Sequence, residues 1–120
     1  MDDNTAIAEL RAKVSKFRDA RGWLKFNNPK DLSIALSIEA AELQELFLWK
    51  DAEEVTRLQM DRKQISRVRD EMGDVAIYLL SLSDVLGVDL TEAILDKLKK
   101  NEKKYPVEKF KGSNRKYDEA

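Results

Sequence analysis

At 120 residues, 42% hydrophobic and 38% charged, the chain holds one domain's worth of core, and with no cysteine and no histidine it can make neither a disulfide nor a thiolate or imidazole metal site. Its 22 Lys and Arg nearly cancel its 23 Asp and Glu, so no bulk field drives it onto nucleic acid or anionic lipid, and no stable nucleic-acid partner is expected. No apolar run approaches the roughly 18 residues of a membrane span, Met1-Asp2-Asp3-Asn4-Thr5 is unlike a secretory leader, and a disulfide-free chain is expected in the cytoplasm.

The first helical pattern covers about Thr5 to Ala20, with Ile7, Leu10, Val14 and Phe17 spaced by three, four and three. Asn4 or Thr5 is placed to cap it and Gly22 to end it. The connector from Trp23 to Asp31 is rich in turn formers and carries Trp23 and Phe26, which either plug the end of a bundle or bind something. Asp31 or Ser33 is expected to cap the next helix.

That helix runs from Ile34 to Trp49, with Leu36, Leu43, Leu46 and Phe47 on a core face. Glu39 and Glu42 interrupt the apolar pattern; three residues apart, they are offset by about 60° around a helix and about 4.5 Å along it, so both head groups reach one point. The polar stretch Lys50 to Leu58 reads as a short helix or loop. From Asp61 to about Val85 a long helix follows, through Ile65, Val68, Met72, Val75, Leu79, Leu82 and Leu86, and it carries Glu71 and Asp74 at the same three-residue spacing. Gly73 between them costs about 1 kcal/mol relative to Ala, and either a tight helix contact or the close approach of a ligand would account for it.

Gly87 closes this helix, and Asp89 with Glu92 resembles a capping box for the last one, which reaches about Lys104 and turns Leu90, Ile94 and Leu98 inward. Lys97, Lys99, Lys100, Asn101, Lys103 and Lys104 form its other face, where lysines near a helix C-terminus are ordinarily solvated. From Tyr105-Pro106 onward Pro and Gly predict an extended polar tail. The expectation is an all-α four-helix bundle, a single domain over residues 1–120 with a helical core of about 5–104 and a tail of 105–120.

If the two acidic helices pack side by side, four carboxylates converge, and each pair at ~5 Å repels by roughly 3 kcal/mol at an effective dielectric near 20. Such a cluster wants cations, and an all-oxygen set suits hard divalent ions, magnesium above all, with manganese as a substitute. Each pair alone is a weak signal in so acidic a chain, but both adjoin its most apolar runs.

The arrangement Glu39-Ala40-Ala41-Glu42-Leu43 followed by Glu71-Met72-Gly73-Asp74-Val75 resembles the acidic signature of the MazG-like nucleotide pyrophosphohydrolases, within the all-α NTP pyrophosphatase superfamily. The stretches Phe17–Trp23, Glu42–Trp49, Asp74–Leu79, Lys97–Pro106 and Gly112–Tyr117 are similar to the compact dCTP pyrophosphatase branch, in order over roughly Leu10 to Tyr117. The resemblance implies hydrolysis of a nucleoside triphosphate between the α and β phosphates, giving the monophosphate and pyrophosphate. It implies that Glu39, Glu42, Glu71 and Asp74 hold magnesium, with Glu39 or Glu42 accepting the proton of the attacking water. It also implies that Trp23 and Trp49 line the base pocket, that Tyr78 packs on the sugar, and that Lys97, Asn101, Lys104 and Tyr105 contact the triphosphate. A homotetramer, a dimer of dimers, is the implied assembly, and removal of unwanted nucleotides or control of pool size the implied role.

Two departures stand out. Many MazG-like proteins have a glutamate where this chain has Ile38, so a third ligand from that helix is either absent or supplied by Glu45. Close dCTP-specific relatives have a histidine where Val14 stands, and a pocket built on stacking discriminates poorly between bases, so dATP or modified deoxynucleotides are expected beside dCTP. The competing readings are a non-catalytic helical oligomerisation protein and a nucleotide- or nucleic-acid-binding module using the basic last helix.

Overall fold

Asp61 starts the longest element. Its carboxylate accepts the backbone N–H groups of Lys63 and Gln64 at 2.9 and 3.1 Å, and the helix it caps, α4 (Arg62–Leu86), runs for 25 residues until Gly87 at φ +65° turns the chain out of it. This computed structural model describes residues 1–116 and is helical throughout, with no strand among the described residues. The other elements are α1 (Ile7–Ala20), one 3₁₀ turn at Leu24–Phe26, α2 (Pro29–Glu45), α3 (Ala52–Met60), α5 (Leu90–Lys104) and the short α6 (Val107–Phe110).

Two compact units divide the chain, Met1–Gly87 with α1 to α4 and Val88–Ala120 with α5 and α6. In the first, α4 is the common partner of α1, α2 and α3, and its longest contact is with α2. Arg18 near the end of α1 is buried and reaches across to α4, its Nη1 donating to Asp84 at 2.8 Å and its Nε to Asp19 at 2.9 Å. Leu32 on α2 and Leu58 on α3 are the buried apolar residues among those described in this unit.

Several sequence expectations shift. The cap of α2 lies three or five residues before the predicted one, because Asn28 accepts the N–H of Asp31 at 2.8 Å and Pro29 takes the first helical position, where a missing N–H costs nothing. It also ends at Glu45, four residues short of Trp49. The polar stretch after Trp49 is a true helix, with Asp51 accepting the N–H of Glu54 at 2.8 Å. Neither Asn4 nor Thr5 caps α1; Ala6 occupies that position with no side-chain bond.

In the second unit Asp89 caps α5 as predicted, accepting the N–H of Glu92 at 2.8 Å. The predicted tail is only partly extended. Pro106 starts a further helical turn that buries Phe110, which meets Tyr105 edge to face at 4.9 Å, and Arg115 returns to donate to the carbonyl of Lys109 at 2.8 Å. Tyr117, the end of the stretch used in the family comparison, lies outside the described residues. No helix among the described residues is long and apolar enough to cross a membrane.

Candidate metal centre

The α2–α4 contact places the acidic pairs. Glu39 and Glu42 lie one turn apart on α2 and Glu71 faces them from α4; one carboxylate oxygen from each of the three lies within 4.8 Å of the other two. Glu39 and Glu71 are half-buried and each keeps one buried oxygen, Oε2, with no hydrogen-bond partner, whereas Glu42 is exposed. Two buried acceptors without donors are costly to leave as they are.

Their titration reflects this. Loss of hydration pushes the Glu39 carboxyl from 4.5 up to about 7, and the neighbouring Glu42, Asp74 and Glu71 add to the shift. Glu71 is raised as well, first by desolvation and then by the charge of Glu42. Asp74, the fourth predicted ligand, is half-buried one turn along α4, near enough for its charge to raise both groups although it is outside the close trio.

The trio fits a hard divalent cation. Its three oxygens, all within 4.8 Å of one another, are the carboxylate donors that such an ion prefers. A cation there would supply the missing partner of both buried oxygens. Glu45 does not join the trio; it lines a separate small cleft with Lys50, Leu58, Gln64 and Arg67. Gly73 has open space where a side chain would be, so no contact among the described residues explains it.

The remaining predicted residues divide by unit. Tyr78 is half-buried on α4, one turn beyond Asp74. Trp49 is 91% exposed and adopts φ +61°, the only non-glycine with positive φ among the described residues. A left-handed conformation costs an L-residue about 1–2 kcal/mol, so the turn after α2 holds this indole outward against a local penalty. Trp23 follows α1 and touches Phe17. Lys97 and Asn101 share one face of α5 in the second unit, beside Ala93, Ile94 and Leu98, with Lys104 and Tyr105 further along the same chain segment. The stacking of Arg21 on Phe17 beside Trp23 was not foreseen from the sequence, although a cation four residues after an aromatic, next to a glycine turn, is a readable signal.

The MazG-like family model matches residues 34–119. Among curated proteins, dCTP pyrophosphatase 1 from Bos taurus is 35% identical over 111 residues, 92% of this chain and 66% of the relative, and that from Homo sapiens is 34% identical over 113 residues, 94% of this chain and 66% of the relative. The chain thus spans just under two thirds of the length of these relatives. A crystallised pyrophosphatase from Archaeoglobus fulgidus is 44% identical and superposes with a TM-score of 0.77, covering 83% of this chain and 92% of that one. With the paired carboxylates on facing helices, a match over most of the sequence and a structural relative at a TM-score of 0.77 in agreement, the chain belongs to the MazG-like family.

Proposed function

We propose that this chain is a magnesium-dependent nucleotide pyrophosphohydrolase that cleaves nucleoside triphosphates between the α and β phosphates, with deoxynucleotides such as dCTP as favoured substrates and dATP or modified deoxynucleotides beside them. The observation that carries the reading is the trio Glu39, Glu42 and Glu71, contributed by two helices, with one buried oxygen on each of Glu39 and Glu71 that has no hydrogen-bond partner. The names of its relatives point the same way: dCTP pyrophosphatase and pyrophosphatase.

Glu39, Glu42 and Glu71 would hold the ion, with Asp74 beside them. When bound, magnesium offsets the triphosphate charge and makes a water more acidic, with manganese able to replace it. The protein's own contribution is positioning and proton acceptance. Phosphoryl transfer asks little else of side chains, and a carboxylate pair such as Glu39 and Glu42 can take the proton of the attacking water without histidine. Trp23 and Trp49, both exposed rings, offer π faces to a base, each worth about 1–3 kcal/mol of stacking. Tyr78 packs on the sugar, and Lys97, Asn101, Lys104 and Tyr105 bind the triphosphate. The working form is a homotetramer in the cytoplasm, a reading supported by the many large apolar side chains that a single chain leaves exposed, Ile38, Met72 and Leu79 among them.

The test is a panel of NTPs and dNTPs incubated with magnesium or with EDTA and resolved by anion-exchange chromatography. Monophosphate plus pyrophosphate, formed only with the metal, is the expected result. Diphosphate plus orthophosphate would place the cleavage elsewhere, and no turnover of any nucleotide would remove the enzymatic reading.

A further inference from the structure

Beyond the groups already given a role stands a small assembly at the end of α1. Gly22, at φ +66° with no atom near its missing side chain, reverses the chain, and the N–H of Trp23 donates back to the carbonyl of Arg18 at 3.1 Å. The reversal lays the Trp23 indole against Phe17, edge to face, with centroids 5.8 Å apart and planes at 75°. Arg21 completes the set: its guanidinium carbon sits 3.7 Å from the Phe17 ring centroid and 6.0 Å from that of Trp23, while its Nη1 donates to the Phe17 carbonyl at 2.9 Å.

We infer that Arg21 is a positioning residue, acting through Phe17 to hold the Trp23 indole in a fixed orientation for a nucleobase. Core packing does not explain the assembly, because Phe17 is 52% and Trp23 46% exposed. Charge pairing does not explain it either: Arg21 makes no ion pair among the described residues, so its guanidinium is committed to the carbonyl and the rings. A half-exposed indole left to itself samples several rotamers, and a base that stacks on it must first select one, at a cost in affinity. Here the backbone hydrogen bond fixes the guanidinium, the guanidinium fixes Phe17, and the edge-to-face contact fixes Trp23. The orientation exists before substrate arrives. Arg21 therefore affects binding of the base and not the chemical step.

This inference rests on Trp23 being a base-stacking residue, and a double-mutant cycle on dCTP hydrolysis separates the two claims. Arg21→Ala should raise KM by about three- to tenfold with kcat within about twofold, and Phe17→Leu should do the same. Trp23→Ala should raise KM at least as far, and adding Arg21→Ala to it should change nothing more, since the ring to be positioned is gone. Arg21→Lys, which keeps the charge but not the planar fork, should recover part of the loss. In the substrate-free protein the indole N–H resonance of Trp23, assigned with Trp23→Phe, should shift or broaden on Arg21→Ala. If Trp23→Ala raises KM but Arg21→Ala does not, or if the two losses multiply, Arg21 is not a positioning residue for that ring. If Trp23→Ala leaves KM unchanged, the base-stacking assignment of Trp23 fails, and this inference with it.

Discussion

Glu39 shows how a cluster of carboxylates sharing one point shapes the protein that carries it. Its carboxyl titrates near 7 in the folded chain against 4.5 ordinarily, so between those values the folded state binds the extra proton. Stability of the metal-free protein must then fall as pH rises from about 4.5 to about 7, with the loss complete above the folded value. Glu71 is raised in the same direction and adds to it. Thermal melts in EDTA should show Tm declining across this window, and magnesium should restore Tm most at the alkaline end, where no proton competes for the carboxylates. A Tm in EDTA that climbs from pH 5 to pH 8 would contradict the burial of these acids. Replacing one of them separates stability from activity: Glu71→Gln removes a desolvated charge, so metal-free Tm at pH 8 should stay level or rise. Turnover should nevertheless drop by about 100-fold or more, and the magnesium-induced rise in Tm should vanish. The three-residue spacing of Glu39 and Glu42 was legible in the sequence because helix geometry alone aims both at one point. The exclusion of one oxygen of Glu39 and of Glu71 from every donor depends on what packs around them, which periodicity does not encode.

Among the helices, α1 is held to α4 in part by a buried cation rather than by apolar contact alone. Arg18 is surrounded, while its partner Asp84 is about one-third exposed, so the pair is only partly desolvated. Asp84→Ala leaves Arg18 with the more exposed Asp19, and should cost about 2 kcal/mol, below the 3–5 kcal/mol of a fully buried pair. Urea unfolding should show the midpoint falling with an unchanged m-value, and an unmoved midpoint would mean that Asp19 alone suffices. This contact was invisible in the sequence, since 66 residues separate the partners. What was legible at this scale is the identity of the long helices and their polar punctuation: Gly87 and Asp89 act where the sequence put them. Boundaries failed where one residue type has two uses. Pro29, one of the turn formers of the connector in the sequence reading, is a first-turn residue, and Pro106 ends one helix only to begin the next turn. Trp49 was placed inside α2 because no glycine marks the left-handed turn it occupies.

The apolar stripe of α4 has two edges, and a single chain uses one of them. Val68, Val75 and Leu82, seven residues apart, are half-buried within the unit, whereas Met72, Leu79 and Leu86, also seven apart, remain 57%, 41% and 53% exposed. A helix whose apolar positions recur by three and four presents both series to neighbours, and the outward series stays exposed among the described residues. On α2, Ile34 and Ile38 repeat the pattern one turn apart. Water on such faces is unfavourable by about 25 cal/mol per Å² of apolar surface, so a second copy bringing the same stripe gains on both sides at once, as a two-fold interface requires. One such contact makes a dimer, and in the tetramer proposed above two dimers pair, so light scattering coupled to gel filtration should give four times 13.8 kDa, about 55 kDa, for the purified chain. Leu79→Glu sets like charges against one another across a two-fold contact and should lower that mass to a dimer or monomer while circular dichroism keeps its helical signal. A wild-type chain that elutes as a 13.8 kDa monomer at micromolar concentration would leave the outward edge of α4 without a partner copy, and the tetrameric reading would fall while the acidic site within each chain stood unaltered.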